Sequence, residues 1–143
     1  MDWQSPLRAR LQDLRPASLC TLDATADAFA LDSVPAAARK PFVPLPDTPC
    51  VLALGIDALD GLDATTARQL IHRVRLYAAP RILLLARAGC ALGDNDFRAL
   101  GFVCEWIDPT SGTRIQSYDL ATYKPVPDWL NARFWAHPER WEP

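Results

Sequence analysis

Two short apolar runs separated by an amphipathic segment constrain this chain more than any other feature. Residues 50–55 and residues 82–86 are apolar at successive positions, the pattern of a strand that is covered on both faces. Between them Asp63 precedes a stripe of apolar residues at helical spacing: Ala67, Leu70, Ile71, Val74, Tyr77 and Ala78. A strand, a helix and a strand in this order predict a βαβ unit, and therefore an α/β fold with a mostly parallel sheet.

The N-terminal third carries weaker signals of the same kind. Ser5 as N-cap and Pro6 at the first helical position predict a helix that ends before Pro16. A short strand is predicted over residues 18–23, followed by a weak helix over 24–31. The proline-rich stretch that follows has room for only a short edge strand near residues 42–43.

The C-terminal third predicts the edge of the sheet. A short helix capped by Asp94 or Asn95 ends before Gly101, which is placed to adopt a left-handed conformation. Residues 102–107 then read as a strand, and the turn-forming residues after them allow 113–120 to return antiparallel. We therefore expect an antiparallel hairpin at one side of the sheet.

Size and charge exclude several classes of protein. The 143 residues fit one domain, and a net charge of −2 gives no positive field that would attract nucleic acid. No apolar run approaches the ~20 residues of a membrane span, and no N-terminal export signal is recognisable. We expect a cytoplasmic protein that binds neither nucleic acid nor membrane.

The four cysteines, Cys20, Cys50, Cys90 and Cys104, lack both the C-x-x-C spacing and the neighbouring histidines of a zinc site. Three fall in or at the start of apolar strand-like runs, where cysteine acts as a small hydrophobic residue. We therefore predict reduced thiols, with Cys20 and Cys50 in the core, and no metal site.

Residues 50–123 resemble the C-terminal half of a class I S-adenosylmethionine-dependent methyltransferase. The sequence D-A-L-D-G-L at 57–62 is similar to the acidic turn that follows that family's fourth strand, with Asp60 where the family has glutamate. F-R-A-L-G-F at 97–102 is similar to the step into its last, antiparallel strands. The resemblance implies a three-layer, Rossmann-like sheet. The segment 124–139 more closely resembles the tail of a short bacterial family of unknown function, which implies no activity.

The turn after the first strand departs from the methyltransferase pattern. That family binds its cofactor with a glycine-rich turn, whereas residues 23–27 here are D-A-T-A-D and the first glycine of the chain is Gly55. Glycine lets such a turn adopt positive φ and approach a ligand closely. The sequence thus disfavours S-adenosylmethionine as a cofactor, and it also lacks the glycine motifs of dinucleotide and P-loop sites.

Several polar residues follow the predicted strands at the edge where ligands bind in open α/β sheets. This candidate crevice consists of Asp23, Thr25, Asp57, Asp60 and Arg87. Two interpretations are open: carboxylates that perform acid-base chemistry or hold Mg²⁺, or aspartates that cap helices and solvate loops. His72 stands beside Arg68, Arg73 and Arg75 on the polar face of its helix, which is either a contact for an anion or a solvated face.

The tail, residues 125–143, is rich in aromatic residues. Trp129, Phe134, Trp135 and Trp141 are candidate interface residues, because tryptophan is enriched at interface hot spots. The tail would then bind a protein partner or close a homodimer; alternatively it folds back over the sheet. Together these observations favour a degenerate, non-catalytic methyltransferase-like module for binding or assembly. The alternative is a small enzyme or ligand-binding protein, including a methyltransferase, that uses the acidic crevice.

Overall fold

The computed structural model describes residues 3–42 and 48–121, which form an α/β fold around one six-stranded sheet. The strand order is β2-β1-β3-β4-β6-β5. The strands are β1 (Ser18–Thr21), β2 (Ala38–Pro41), β3 (Leu52–Gly55), β4 (Arg81–Ala86), β5 (Val103–Ile107) and β6 (Arg114–Asp119). Strands β1 to β4 pair in parallel, and β6 lies antiparallel between β4 and β5. The predicted mostly parallel sheet with an antiparallel hairpin at one edge is confirmed.

In the described part of the chain, four helices cover the two faces of the sheet: α1 (Gln4–Leu14), α2 (Ala24–Ser33), α3 (Ala64–Tyr77) and α4 (Asp94–Ala99). Because side chains alternate along a strand, β3 sends Leu52 and Leu54 to one face and Ala53 to the other. The first pair packs in a core with α1 and α2, whereas Ala53 packs in a second core with α3 and α4. The apolar pattern at 52–55 therefore reports burial between two helical layers, whereas Val51, just before the strand, is exposed.

Some predicted boundaries were wrong for local reasons. Helix α1 begins at Gln4 after Trp3, so Ser5 lies within its first turn and does not cap it. Strand β2 lies at Ala38–Pro41, just before the predicted position at 42–43, and Gly93 precedes α4 where Asp94 or Asn95 was expected. Gly101 adopts φ 94°, as predicted.

The two edges of the sheet differ in their chemistry. At the β2 edge, the N–H groups of Ala38 and Phe42 donate hydrogen bonds toward β1. The residues whose backbone faces away from β1 are therefore Arg39 and Pro41. Proline has no backbone N–H to donate, and charged side chains also disfavour pairing with a further strand. The β5 edge has no proline and one charged residue, Glu105, and its other side chains are apolar or cysteine. The β5 edge is thus the less protected of the two.

Gly55, at the end of β3, lies in a tightly packed part of the sheet. A Cβ atom added there would lie 2.8 Å from Cδ2 of Leu84 and 3.1 Å from the nearest side-chain atoms of Ala58 and Leu22. The lack of a side chain at this position lets β1, β4 and the turn after β3 approach one another. Gly55 therefore serves packing at the strand ends that form the candidate site.

Candidate functional site

Asp23 occupies the turn between β1 and α2 and links three backbone segments. Its Oδ1 accepts a hydrogen bond of 2.7 Å from the amide of Ala26, which caps α2. Its Oδ2 accepts from the amides of Ile56 and Asp57, at 2.8 and 3.1 Å, just after β3. One carboxylate thus satisfies the start of a helix and the end of the neighbouring strand, where unpaired amides are costly. Asp23 is a structural bridge in this fold.

The other four predicted crevice residues form a single polar network at the same edge of the sheet. Asp57 accepts a hydrogen bond from the Thr25 hydroxyl on one oxygen and from Nη1 of Arg87, at 2.8 Å, on the other. The same Nη1 lies 2.5 Å from Asp60 Oδ2. The structure therefore brings together Asp23, Thr25, Asp57, Asp60 and Arg87.

The electrostatics of this network favour an ionised Asp57 carboxylate. The Thr25 hydroxyl and then the Arg87 guanidinium donate hydrogen bonds to Asp57 and hold its pKa below the usual range. Arg87, Asp57 and Asp60 are each between 36% and 44% exposed, so water screens the ion pairs. A carboxylate with a lowered pKa that is already paired is a poor proton acceptor near neutral pH.

An open depression of about 390 Å³ lies beside this network at the ends of β1 and β2. Asp23, Asp27 and Phe42 are among its lining residues. Asp27 forms a 2.7 Å ion pair with Arg39 of β2. Asp27 and Arg39 are not among the crevice residues predicted from the sequence. The one sequence signal for Asp27 is that it follows Asp23 by four residues, the spacing of one helical turn.

The arginines beside His72 do not form a free basic stripe. Arg68 donates to Asp96 of α4 at 2.9 Å, and the Arg73 guanidinium lies over the Phe42 ring. Arg75 lies 4.2 Å from the centre of the Tyr118 ring. These contacts place the arginines in structural roles between elements, whereas His72 itself is exposed.

The cysteine predictions hold for the core but not for the edge strand. Cys20 and Cys50 are buried, and burial raises the pKa of the Cys20 thiol to about 11. Cys104, which was grouped with the apolar strand residues, is exposed because β5 is an edge strand. All four are free thiols.

Two further findings concern metals and membranes. Across residues 3–42 and 48–121, no group of three or more His, Cys, Asp or Glu side chains is arranged to hold a metal ion. In the same part of the chain, no helix combines the length and apolar character needed to span a bilayer. The predicted interface residues Trp129, Phe134, Trp135 and Trp141 lie outside the described residues.

The fold and site define an α/β protein with a polar cluster at the ends of β1, β3 and β4. The chain belongs to a family of unknown function (DUF6231), which matches it over residues 1–143. No curated protein matches the sequence. The expectation of a family of unknown function is confirmed, and the family brings no assigned activity to the polar cluster.

Proposed function

We propose that this domain is a non-catalytic, methyltransferase-like module that binds or assembles with protein partners. It would be a single cytoplasmic domain with a Rossmann-like, degenerate methyltransferase fold. The order of its elements supports this: β3, α3, β4 and α4 lead into the antiparallel pair of β5 and β6, as the sequence resemblance implies. This order and these strand directions are what a degenerate methyltransferase fold would require, and they support the proposal.

The observation that carries the proposal is the position of the Asp23 carboxylate. A cofactor-binding turn after β1 leaves its helix N-terminus and nearby amides open to a ligand. Here Asp23 takes the Ala26 amide and both amides after β3. The residues of this turn therefore do not fit a nucleoside cofactor of the methyltransferase type.

The neighbouring charged groups support the same conclusion. Asp57 and Asp60 already share the Arg87 guanidinium, and Thr25 donates to Asp57. A polar substrate would have to displace these internal partners before it could be held. Internal pairing of this kind stabilises the edge of the sheet and leaves few free groups for chemistry.

A binding role is supported by exposed apolar side chains on the edge strand β5. Val103 is 64% exposed and Ile107 is 46% exposed. They face opposite sides of the sheet, because a bulge between Cys104 and Trp106 shifts the register. Exposed apolar side chains on an unprotected edge strand are typical of surfaces that bind another chain.

Isothermal titration calorimetry with S-adenosylmethionine and S-adenosylhomocysteine tests the proposal on the full chain. We expect no binding of either compound at concentrations well above the micromolar range. Micromolar affinity for either would contradict the proposal. The same titration of the Asp23→Gly variant tests whether the turn binds either compound once the carboxylate is removed. Circular dichroism checks that this variant remains folded.

A second candidate function is a small ligand-binding protein or enzyme that uses the same polar cluster. It is favoured by the partial exposure of Asp57, Asp60 and Arg87, which lets a polar ligand reach them. Thermal-shift measurements with Mg²⁺ and with inorganic phosphate test this function. Stabilisation that disappears in Asp57→Ala but persists in Asp13→Ala, a control on α1, would favour it over the binding module.

A further inference from the structure

A depression with both apolar and charged walls runs between α1 and the hairpin of β5 and β6; we refer to it as the α1–β5 groove. It consists of two adjoining cavities of about 320 and 370 Å³. Arg10 and Glu105 line both cavities and form a 2.9 Å ion pair between them. The groove therefore has two compartments with a charged pair at their boundary.

Each compartment of the groove has an apolar part that suits large apolar side chains. Leu14 and Val103 line the first compartment, and Pro6, Trp106 and Ile115 line the second. Val103 is largely exposed, and Trp106 packs only partly against the core. Burying these surfaces under aromatic side chains would remove apolar area from water, which is favourable in proportion to the area.

The C-terminal segment of the same chain starts at the end of this groove. Strand β6 ends at Asp119, which lines the first compartment, and the Leu120 amide donates to the Pro80 carbonyl at 2.9 Å. Residues 122–143 therefore depart from a fixed point beside the groove. Their sequence contains three of the five tryptophans of the chain.

The distances are compatible with binding in the same chain. From Asp119 back to Ile115 the groove follows β6 for four residues, roughly 14 Å at the rise of an antiparallel strand. Seven residues, 122–128, precede Trp129, and seven extended residues can span about 23 Å. Trp129 and the aromatic residues after it can thus reach both compartments.

We propose that aromatic side chains of residues 122–143 bind in the α1–β5 groove of their own chain. This binding would cover the sheet face beside α1 and leave the opposite face of β5, which carries Ile107, for a partner. The inference does not depend on whether the polar cluster binds S-adenosylmethionine.

The test uses fluorine NMR on the full chain labelled with 5-fluorotryptophan, with each resonance assigned by a Trp→Phe variant. Val103→Asp places a charge in the groove, and Ala9→Asp does so from the α1 wall. Ile107→Asp is the matched control, because Ile107 pairs with Arg114, whose guanidinium reaches Asp94 on the other face. We expect each groove variant, but not the control, to shift at least one of the Trp129, Trp135 and Trp141 resonances.

Two results would overturn the proposal. The first is that neither folded groove variant moves any of the three resonances. The second is a dimeric mass by light scattering together with shifts that depend on protein concentration, which would show that the segment binds a second copy. If Val103→Asp fails to fold by circular dichroism, Ala9→Asp decides the question alone, since Ala9 is an exposed helix residue.

Discussion

Replacing Asp23 with alanine would remove one carboxylate that holds three backbone amides. The loss of the α2 cap costs about 1 kcal/mol, the usual value for an aspartate N-cap. The amides of Ile56 and Asp57 also lose their acceptor, at about 0.5 to 1.5 kcal/mol each in a half-buried position. We therefore expect the free energy of unfolding to fall by about 2 to 4 kcal/mol in total.

Asp63→Ala is the matched control for this prediction. Asp63 caps α3 by accepting a 2.7 Å hydrogen bond from the Thr66 amide, which lies in the first turn of the same helix. Its replacement should cost about 1 kcal/mol. Urea denaturation followed by circular dichroism measures both variants, and their difference isolates the link between the β1–α2 turn and the end of β3.

Equal losses of stability in the two variants, within about 0.5 kcal/mol, would refute the bridging role of Asp23. A gain in stability on replacing Asp23 would be a stronger contradiction. Ligand-binding groups are often held at a cost to stability, so a gain would indicate a residue retained for function. It would favour the ligand-binding alternative over the non-catalytic module.

Three further predictions follow from other parts of the fold. Gly55→Ala should lower the free energy of unfolding by about 1 to 3 kcal/mol in thermal or urea denaturation, because the new Cβ would crowd Leu84; an unchanged stability would mean that β3 and β4 relax freely. A thiol reagent should modify Cys104 first in the native protein and Cys20 last, since burial keeps Cys20 protonated; mass spectrometry of the modified chain gives the order, and rapid labelling of Cys20 would contradict its burial. Because the pKa of Asp57 is lower in the folded protein, its carboxylate stabilises the fold at pH values above its unfolded-state pKa, which is near 4. This contribution is lost as the pH falls through the folded-state pKa. The stability difference between wild type and Asp57→Asn should therefore shrink on acidification in pH-dependent denaturation, and a constant difference would argue against the network.

The sheet was predictable where the sequence is apolar at every position. Strands β3 and β4 need burial on both faces, so their pattern indicates central parallel strands without further information. Strand β2 was misplaced because it is short, charged and exposed, and its pairing with β1 depends on tertiary contacts. The start of α1 was missed because Trp3 precedes it without a side-chain cap.

The sequence predicts which residues form the candidate site, but not which hydrogen bonds they make. Residues after neighbouring parallel strands meet at one edge, so Asp23, Asp57 and Arg87 were expected to lie close together. The sequence cannot show that Asp23 also reaches the amides after β3, because that contact joins residues more than thirty positions apart. Nor does it reveal the Asp27–Arg39 pair, which requires the correct position of β2.

The unequal edges of the sheet limit how copies of this chain could join through their strands. The margin at β2 presents Pro41 and basic side chains, which discourages addition of a further strand. Among the strands of the described residues, only β5 can accept one at its margin. Two copies that met there would each use the same margin, so the resulting twelve-stranded sheet would be closed to further growth. The architecture therefore permits a finite pair and opposes an open-ended fibre.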